Sequence, residues 1–547
     1  MKTHKYLCII GVLLGAMSLT SCDDFLEEDP KDMKGSGQFW KTAEDAESAV
    51  DALYYGGVTY LHNTDLGTGW TPKATMWPGI MSGLYVDKRK DRQFTTASEG
   101  CTFTCEAFDD VAFSMWHEFY KGISRANFVI ANVTKMTDVL DQATIDNYLA
   151  EAKFFRALGY FYLVKEFNNV PYIDKPYTST EGMYVEPSPA AEVYGHIETD
   201  LLEAINSNAL SEKTFYNNGG HITKGTAQML LAQVYLQWAG APVNGGAEYY
   251  DKAAKTALQV INSGVYSLEQ AQGSSDDLNS AYNVIKTSKT SGEILMAKEY
   301  DYTNFSIGNS YACRSIGTDA FQWTDANGDQ IFHPGGDVMY NAYLPCKMIL
   351  DSYAPDDIRG HEKQFFFWHY TDATGVTHDL NEAGNWMWFD ENALMSGHDG
   401  DYNVPMMRYS EVLLIAAEGL ARTGHEGNAE GQAHYYLNQV RKRAGLADET
   451  ATGDALIQAI LTERLHELPL EFRVWDDIRR TRLYPEADGT QSGTLKWVAL
   501  ASADIQNKPD GQIREGAIPE FALLFPIPLD EMQRNPALNG HQNPGWR

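Results

Sequence analysis

Hydrophobic residues recur with helical spacing over much of the chain. In segment 151–167 (EAKFFRALGYFYLVKEF), Ala152, Phe155, Leu158 and Tyr162 fall on one face of a helix. A short polar turn that ends in a proline follows this segment, which is typical of a helix end. The pattern therefore predicts a helix here that packs through one face.

Two further segments, 223–238 and 408–422, repeat one pattern. When Ala232 is aligned with Ala416, leucines two residues before and four after also coincide, and a glycine ends each segment. Small residues that alternate with leucine and tyrosine are typical of tetratricopeptide hairpins, because alanine or glycine lets neighbouring helices approach closely. The fold class predicted is mostly α, a tetratricopeptide-like helical hairpin scaffold. Other helices are predicted at 116–133, 191–206, 249–261, 429–443 and 455–468.

Two long stretches lack this periodicity. Segments 63–108 and 264–405 are rich in glycine, aspartate, asparagine and aromatic residues. Irregular stretches of this length inside a compact domain are usually functional loops. We therefore expect large irregular loop insertions on the scaffold, within one intermixed globular body that has an N-terminal part at 41–263 and a C-terminal part at 264–547.

The N-terminus has the features of an export signal. Lys2 and Lys5 precede an apolar run at 6–19, and small residues lead to Cys22. This predicts a lipoprotein signal peptide at 1–21 and a lipid on Cys22, with an ordinary secretory signal as the alternative. Acidic residues dominate the positions after Cys22, so 22–40 is predicted to be a flexible acidic tether.

Charge narrows the set of partners. The chain has 74 acidic and 43 basic residues and a formal net charge of −31. Nucleic acid is excluded as an expected partner because phosphate binding needs a basic surface. The cysteines outside the N-terminal region are most simply read as free or structural, and their pairing cannot be deduced from spacing. They are Cys101, Cys105, Cys313 and Cys346.

Several segments, in order, resemble the SusD/RagB family of outer-membrane nutrient-binding lipoproteins of the Bacteroidota. The matching segments are 22–26 (CDDFL), 116–127 (WHEFYKGISRAN), 408–414 (RYSEVLL), 437–446 (LNQVRKRAGL), 463–464 (ER), 471–480 (EFRVWDDIRR), 526–528 (PIP) and 543–546 (NPGW). The resemblance covers nearly the whole mature chain. It implies a place at the cell surface, anchored by lipid to the outer membrane, where a SusC-like TonB-dependent transporter is the partner and a glycan is the ligand.

Sugars present C–H faces and hydroxyl edges, so a binding site needs flat aromatic rings beside polar side chains. Both irregular stretches supply such residues, although each ring taken singly can instead be a buried loop anchor. We take Trp70, Trp77 and Tyr85 as the leading ring platforms, since the resemblance implies glycan sites in the corresponding early loops. The other predicted glycan-binding residues are Asn63, Asp65, Tyr311, Arg314 and Trp323.

One short segment resembles a calcium loop. Asp325, Asn327 and Asp329 place oxygen atoms at alternating positions. The loop lacks the glycine after the third ligand, and Gly336 occupies the twelfth position, where calcium loops carry glutamate. A solvated turn is the favoured interpretation, so no cofactor is predicted and calcium is only a weak candidate.

The charged C-terminal segment 463–480 is interpreted as structural. Its acidic and basic residues alternate, Asp476 and Arg480 have the spacing of a helical ion pair, and His466 lies among them. Pro469 is expected to end a helix.

Three functional classes remain. A surface glycoside hydrolase needs a pair of carboxylates, but no strand repeat or catalytic motif accompanies the many acids of the chain. A purely structural scaffold leaves the aromatic loops unexplained. The sequence therefore favours a protein that is not an enzyme, and that binds oligo- or polysaccharide by aromatic stacking and passes it to the transporter.

Overall fold

A computed structural model describes residues 39–62, 79, 81–86, 105–177, 179–273, 278–333, 343–488, 494–503 and 518–546. Helices dominate these residues, as the periodicity predicts. The α-helices are α1 Ala43–Tyr55, α2 Cys105–Val133, α3 Gln142–Phe167, α4 Ala190–Asn206, α5 Lys224–Ala239, α6 Ala247–Asn262, α7 Ala281–Thr287, α8 Tyr302–Phe305, α9 Lys347–Asp351, α10 Glu391–Ser396, α11 Tyr409–Arg422, α12 Ala433–Arg443, α13 Asp454–Glu467, α14 Val474–Thr481 and α15 Leu529–Arg534.

The strands are short and form two-stranded antiparallel pairs. They are β1 Tyr85–Val86, β2 Val170–Pro171, β3 Pro187–Ser188, β4 Ile294–Lys298, β5 Leu344–Pro345, β6 Phe366–Thr371, β7 Thr377–Asn385, β8 Val404–Arg408, β9 Leu483–Ala487 and β10 Leu495–Ala499. The pairs are β1–β5, β2–β3, β4–β8, β6–β7 and β9–β10. Such small pairs cannot form a core by themselves, so they join loops to the helical scaffold.

Side-chain caps set several helix starts. The Thr223 hydroxyl accepts a hydrogen bond from the Thr226 backbone N–H at 3.2 Å and begins α5. The Asp141 carboxylate accepts the Thr144 backbone N–H at 2.8 Å, so α3 starts upstream of the predicted position 151. At its C-terminal end α13 stops at Glu467, and Pro469 follows, which confirms the predicted helix end.

The helices stack as hairpins. Contacts run from α2 to α3, α4, α5 and α6 in turn, and α6 then packs on α11 rather than on the next helix in sequence. A Cβ atom added to Gly419 on α11 would lie only 2.5 Å from the Tyr250 carbonyl oxygen on α6. Small residues therefore let the helices approach closely, which confirms the tetratricopeptide-like interpretation.

The long irregular stretch leaves and re-enters the scaffold at one strand pair, and other contacts such as Arg359 with Glu463 join it to the scaffold elsewhere. Strands β4 and β8 pair with Ile294 opposite Arg408 and Lys298 opposite Val404. Residues 299–403 therefore leave and re-enter the scaffold side by side, and we call them the insertion lobe. A second hydrophobic cluster, separate from the main core, lies within the lobe and includes Phe332, Phe367 and Phe389.

Buried ion pairs connect the C-terminal helices. The Arg480 guanidinium forms two hydrogen bonds to the Glu418 carboxylate, each 2.6 Å long. Arg359 lies 2.6 Å from Glu463, and both side chains are buried. These pairs confirm the structural interpretation of the charged segment.

The predicted partner of Asp476 was wrong. Asp476 pairs with Lys165 at 2.8 Å and with Arg479 at 2.7 Å, whereas Arg480 pairs with Asp477 at 2.8 Å. The reason is that α14 packs on α3, so Asp476 meets a lysine from another helix, a contact that spacing within α14 cannot show.

Some sequence predictions lie outside the described residues. These are the signal peptide, the lipid-bearing Cys22, nearly all of the acidic tether and Cys101. Cys346 is described, and it is a buried free thiol whose pKa burial raises to about 11. Among the described residues, no helix has both the length and the apolar character needed to span a membrane.

Candidate functional site

The insertion lobe carries aromatic side chains at the edge of its own hydrophobic cluster. Phe321, Trp323, Trp386 and Met395 are partly buried and pack against that cluster. The lobe therefore presents rings at its surface, and the structure shows which of their faces are already occupied.

Trp323 belongs to a stack inside the lobe. Its ring lies parallel to His378, with centroids 4.9 Å apart. The His378 Nε2 atom lies 3.0 Å from the Asp372 carboxylate, and this bond, with others from Thr374, holds the pKa of Asp372 well below its usual value. One face of Trp323 is thus covered, and the side chain is only partly available to a ligand.

The Trp386 ring is also partly covered by contacts within the protein. Its indole N–H donates to the Asn283 side-chain oxygen at 2.7 Å, and the Lys286 ammonium lies 3.9 Å from its ring centroid. Burial lowers the pKa of Lys286 to about 7. Trp386 therefore anchors the lobe to α7 through both its edge and one face.

Phe305 is the most exposed large hydrophobic residue in the described part of the chain, with 72% of its surface accessible. It ends α8, and Ser306 follows in the left-handed conformation (φ 54°). The backbone of Asp301 pairs with that of Ile307 through hydrogen bonds of 2.9 and 3.3 Å. We call residues 301–307 the knuckle, because its closed turn holds Phe305 out in solvent.

Two aspartates fix the knuckle. The Asp401 carboxylate accepts the backbone N–H of Tyr302 at 2.5 Å and the Thr303 hydroxyl at 2.6 Å. The Asp301 carboxylate accepts the Asn304 backbone N–H at 2.9 Å, and the Asn304 amides hold the pKa of Asp301 below its usual value. These hydrogen bonds therefore hold the knuckle in one conformation before a ligand binds.

A second ring lies beside Phe305 in sequence. The Tyr302 ring stacks on the His398 imidazole with centroids 4.2 Å apart and an angle of 17° between planes. Both side chains are half-buried. The knuckle thus combines an exposed ring, a stacked ring pair and the exposed polar side chains of Thr303 and Asn304, which is the combination that carbohydrate recognition needs.

Three residues that were predicted to bind glycan are buried in the structure. The Tyr85 ring is buried and stacks on Tyr343 at 4.1 Å, and its hydroxyl donates to the Pro469 carbonyl. Tyr311 is fully buried against Trp388. Arg314 is buried as well, and its guanidinium donates to the Ser310 hydroxyl at 2.6 Å. Rings and charges enclosed in this way have no face for a sugar.

Four other predicted residues lie outside the described part of the chain: Asn63, Asp65, Trp70 and Trp77. Trp323 is described and half-buried, so it is the one predicted residue that the structure places at the lobe surface. Sequence reasoning missed Tyr302, Phe305 and His398. The available signal was local, since Asp301 stands three residues before Asn304 and can cap a short turn.

The calcium-like segment forms a turn. The Asp325 Oδ1 atom accepts the backbone N–H of Asn327 at 2.8 Å and that of Asp329 at 3.0 Å, and the latter bond lowers the pKa of Asp325. These hydrogen bonds close the segment into a turn. Within the described residues, no group of three or more His, Cys, Asp or Glu side chains is arranged to hold a metal.

Comparison with known proteins agrees with this architecture. A family described as "SusD family" matches residues 317–546, and one described as "Starch-binding associating with outer membrane" matches residues 25–236. SusD-like protein P2 of Formosa agariphila is 26% identical, with both chains covered completely. A SusD-like protein of Bacteroides ovatus is 23% identical over 97% of each chain.

Solved structures have the same fold. A SusD superfamily protein from Parabacteroides distasonis superimposes with a TM-score of 0.75 and 27% identity, covering 92% of this chain and 99% of that chain. Surface glycan-binding protein A of Bacteroides thetaiotaomicron, in complex with laminarihexaose, gives a TM-score of 0.68 and 21% identity, again over 92% and 99%. With residues 25–236 and 317–546 matched in order and the helical scaffold reproduced, the chain belongs to the SusD family.

Proposed function

We propose that this protein is a lipid-anchored glycan-binding protein of the cell surface that captures oligo- or polysaccharide by aromatic stacking and passes it to a SusC-like TonB-dependent transporter. The observation that carries the proposal is the knuckle, because Phe305 is held in solvent by hydrogen bonds from two aspartates. Single exposed apolar side chains are common on protein surfaces, so the support comes from the grouping of Phe305 with the stacked Tyr302 and His398 rings on a turn fixed by hydrogen bonds.

The surroundings of Phe305 suit a sugar. The stacked Tyr302–His398 pair supplies a second flat surface. The Thr303 hydroxyl and the Asn304 amide N–H already donate to Asp401 and Asp301, so their exposed side-chain oxygens are the groups that can accept from sugar hydroxyls. Trp323 is a partly available ring in the same lobe. The laminarihexaose complex of a protein with this fold supports the same ligand class. Trp70 and Trp77 remain the platforms proposed for the early loop.

Binding without catalysis is the function that we propose. A glycoside hydrolase needs one carboxylic acid that stays protonated near neutral pH and a second carboxylate across the sugar. Three of the acids near the knuckle and the Trp323 stack are Asp301, Asp372 and Asp401, and hydrogen bonds hold the pKa of each below its usual value. These three acids are ionised and engaged, so none of them serves as a general acid.

The remaining parts of the proposal concern location and partner. The family description of association with the outer membrane supports a place there. Cys22 is the proposed lipid attachment site. The stacked hairpins offer a rigid scaffold on which a transporter can dock while the lobe remains open to glycan.

Affinity electrophoresis in gels containing laminarin, amylopectin, xylan or pectin tests the ligand class. We expect one of these polysaccharides to retard the wild-type protein. The Phe305→Ala variant should lose roughly 1–3 kcal/mol of binding free energy, by analogy with base–aromatic stacking. Phe128→Ala is the matched control, because Phe128 is 43% exposed on α2 and lies outside the lobe.

Three outcomes would contradict the proposal. Equal retardation of Phe305→Ala and wild type would show that the knuckle does not bind the glycan. Equal retardation of Trp70→Ala, Trp77→Ala and wild type would show the same for the early loop. Saccharide fragments released on incubation of the protein with polysaccharide would instead favour the hydrolase.

A further inference from the structure

A groove of about 430 Å³ lies outside the insertion lobe, a volume within the range of small-ligand sites (roughly 300–1,000 Å³). Helix α2 forms its floor through Trp116 and Tyr120. Residues 171–177 and 179–185, which we call the strap, form one wall. Helix α15 and the turn that follows it form the other. None of these residues takes part in the knuckle.

Hydrogen bonds fix the strap in place. The Tyr120 hydroxyl donates to the Pro171 carbonyl at 2.7 Å, and the Asn127 amide donates to the Ile173 carbonyl at 2.9 Å. At the other end of the strap, Asn535 donates to the carbonyl of Val185 at 3.0 Å. The groove is therefore preformed, which lowers the entropic cost of binding.

The rim of the groove presents two tyrosines. Tyr184 is 59% exposed and Tyr177 is also exposed, and both line the groove. Each offers a flat ring and a hydroxyl at its edge. Such side chains can contact the C–H face of a sugar and its hydroxyl groups together.

The lining argues against other occupants. An extended peptide that adds a strand needs unpaired backbone groups on the wall. The carbonyls of Pro171, Ile173 and Val185 already accept side-chain hydrogen bonds, so the strap offers no such edge at these positions.

The charge of the groove differs from that of the protein. Its lining includes Lys121, Lys175 and Arg534 against one acid, Glu531, in a chain with a net charge of −31. Lys121 pairs with Glu118 at 3.3 Å, and Arg534 pairs with Glu531 at 3.1 Å. Lys175 is exposed and forms no ion pair with the described residues, while the neighbouring Asp174 in the strap acts, after burial, to raise the pKa of Tyr177. A local cation on an acidic protein favours an anionic ligand at that point.

We propose that the groove is a second saccharide site that takes a short acidic oligosaccharide, with sugar rings against Tyr177 and Tyr184 and a uronate carboxylate at Lys175. This inference rests on the proposed function, since it presumes a protein that binds saccharides. It adds a site away from the lobe and a charge preference that the lobe does not show.

Calorimetric titration of the full mature protein with oligogalacturonides tests the inference. We expect Tyr184→Ala to weaken binding roughly fivefold or more and Lys175→Gln to weaken it roughly two- to fivefold. Added salt should weaken wild-type binding and should affect Lys175→Gln less. Tyr435→Ala and Lys347→Gln are the matched controls, because both residues are exposed on other helices, α12 and α9.

Unchanged affinity in both groove variants, or no oligogalacturonide binding by wild type, would overturn the proposal. Loss of affinity in Tyr184→Ala but not in Lys175→Gln would overturn the proposal that the ligand carries an acidic group at Lys175. Thermal melting confirms that each variant is folded. The Phe305→Ala variant separates the two proposals. The proposed function is rejected if this variant keeps full polysaccharide binding. The saccharide site in the groove is rejected only by the results for Tyr184→Ala and Lys175→Gln.

Discussion

His466 lies in the interior at the end of α13. Its Nε2 atom is 2.7 Å from the Ser352 hydroxyl oxygen, and its ring stacks on Tyr353 with centroids 4.4 Å apart. Burial, together with the nearby positive charge of Arg359, lowers the pKa of His466 to about 3. The imidazole is therefore neutral in the folded protein, and the sequence-based interpretation of His466 as a satisfied structural residue is confirmed.

This arrangement predicts acid sensitivity. Below about pH 6.5 the unfolded chain binds a proton at His466 that the folded protein does not, so stability falls as the pH falls, by about 1.4 kcal/mol per unit for a single group. His466→Gln should therefore flatten the decline in the free energy of unfolding between pH 6.5 and 5. Urea unfolding at a series of pH values measures this slope.

His221 provides a control of opposite sign. It lies 3.1 Å from the Glu151 carboxylate, and that hydrogen bond raises the pKa of His221. The stabilisation is present at low pH and is lost as the pH rises through this raised pKa. His221→Gln should therefore remove a gain in stability that develops as the pH falls from the raised pKa to about 6.5, and should leave the slope below that pH unchanged. Identical slopes for wild type and His466→Gln below pH 6.5 would refute the assignment.

At the scale of elements, close helix contacts hold the scaffold together. Gly419 of α11 lies against the Tyr250 carbonyl oxygen and Ala254 of α6. Backbone atoms cannot yield as a flexible side chain can, so an added methyl group must push the two helices apart.

We expect Gly419→Ala to destabilise the protein by about 1–3 kcal/mol. The matched control is Gly195→Ala on α4, where no atom lies within 4 Å of the added Cβ, so helix propensity should make that variant neutral or more stable by up to about 1 kcal/mol. Urea unfolding compares the two. A Gly419→Ala variant as stable as Gly195→Ala would show that the helices are not tightly packed here.

Helical elements were predictable because burial repeats with helical spacing. Both α5 and α11 were found almost to the residue, whereas the first turns of α3 precede the apolar pattern and depend on the Asp141 cap. Ring exposure in the lobe was not predictable. Tyr311 is covered by Trp388 from a distant part of the chain, while Phe305 is held outside by Asp401. Both facts depend on tertiary contacts that local sequence does not contain.

At the scale of the whole molecule, we propose that attachment to the membrane depends on one residue, Cys22. The chain is strongly acidic, so basic side chains do not explain a membrane association, and a lipid on Cys22 is the proposed source.

Cys22→Ser should therefore abolish incorporation of labelled fatty acid and move the protein from the membrane fraction to the soluble fraction. Cys346→Ala is the control, since Cys346 is a buried free thiol in the core. Labelling that persists in Cys22→Ser would place the anchor elsewhere.

The pairing of β4 with β8 has a consequence for engineering and for divergence among relatives. Both crossings of residues 299–403 lie on adjacent strands, so one pair of splice points delimits the region, while Arg359 and the ring of Trp388 also reach the buried interior of the scaffold. Chimaeras that keep Ile294–Lys298, Val404–Arg408 and these interior contacts, and replace the surface between them, offer a direct route to transplanting ligand preference from one chain to another.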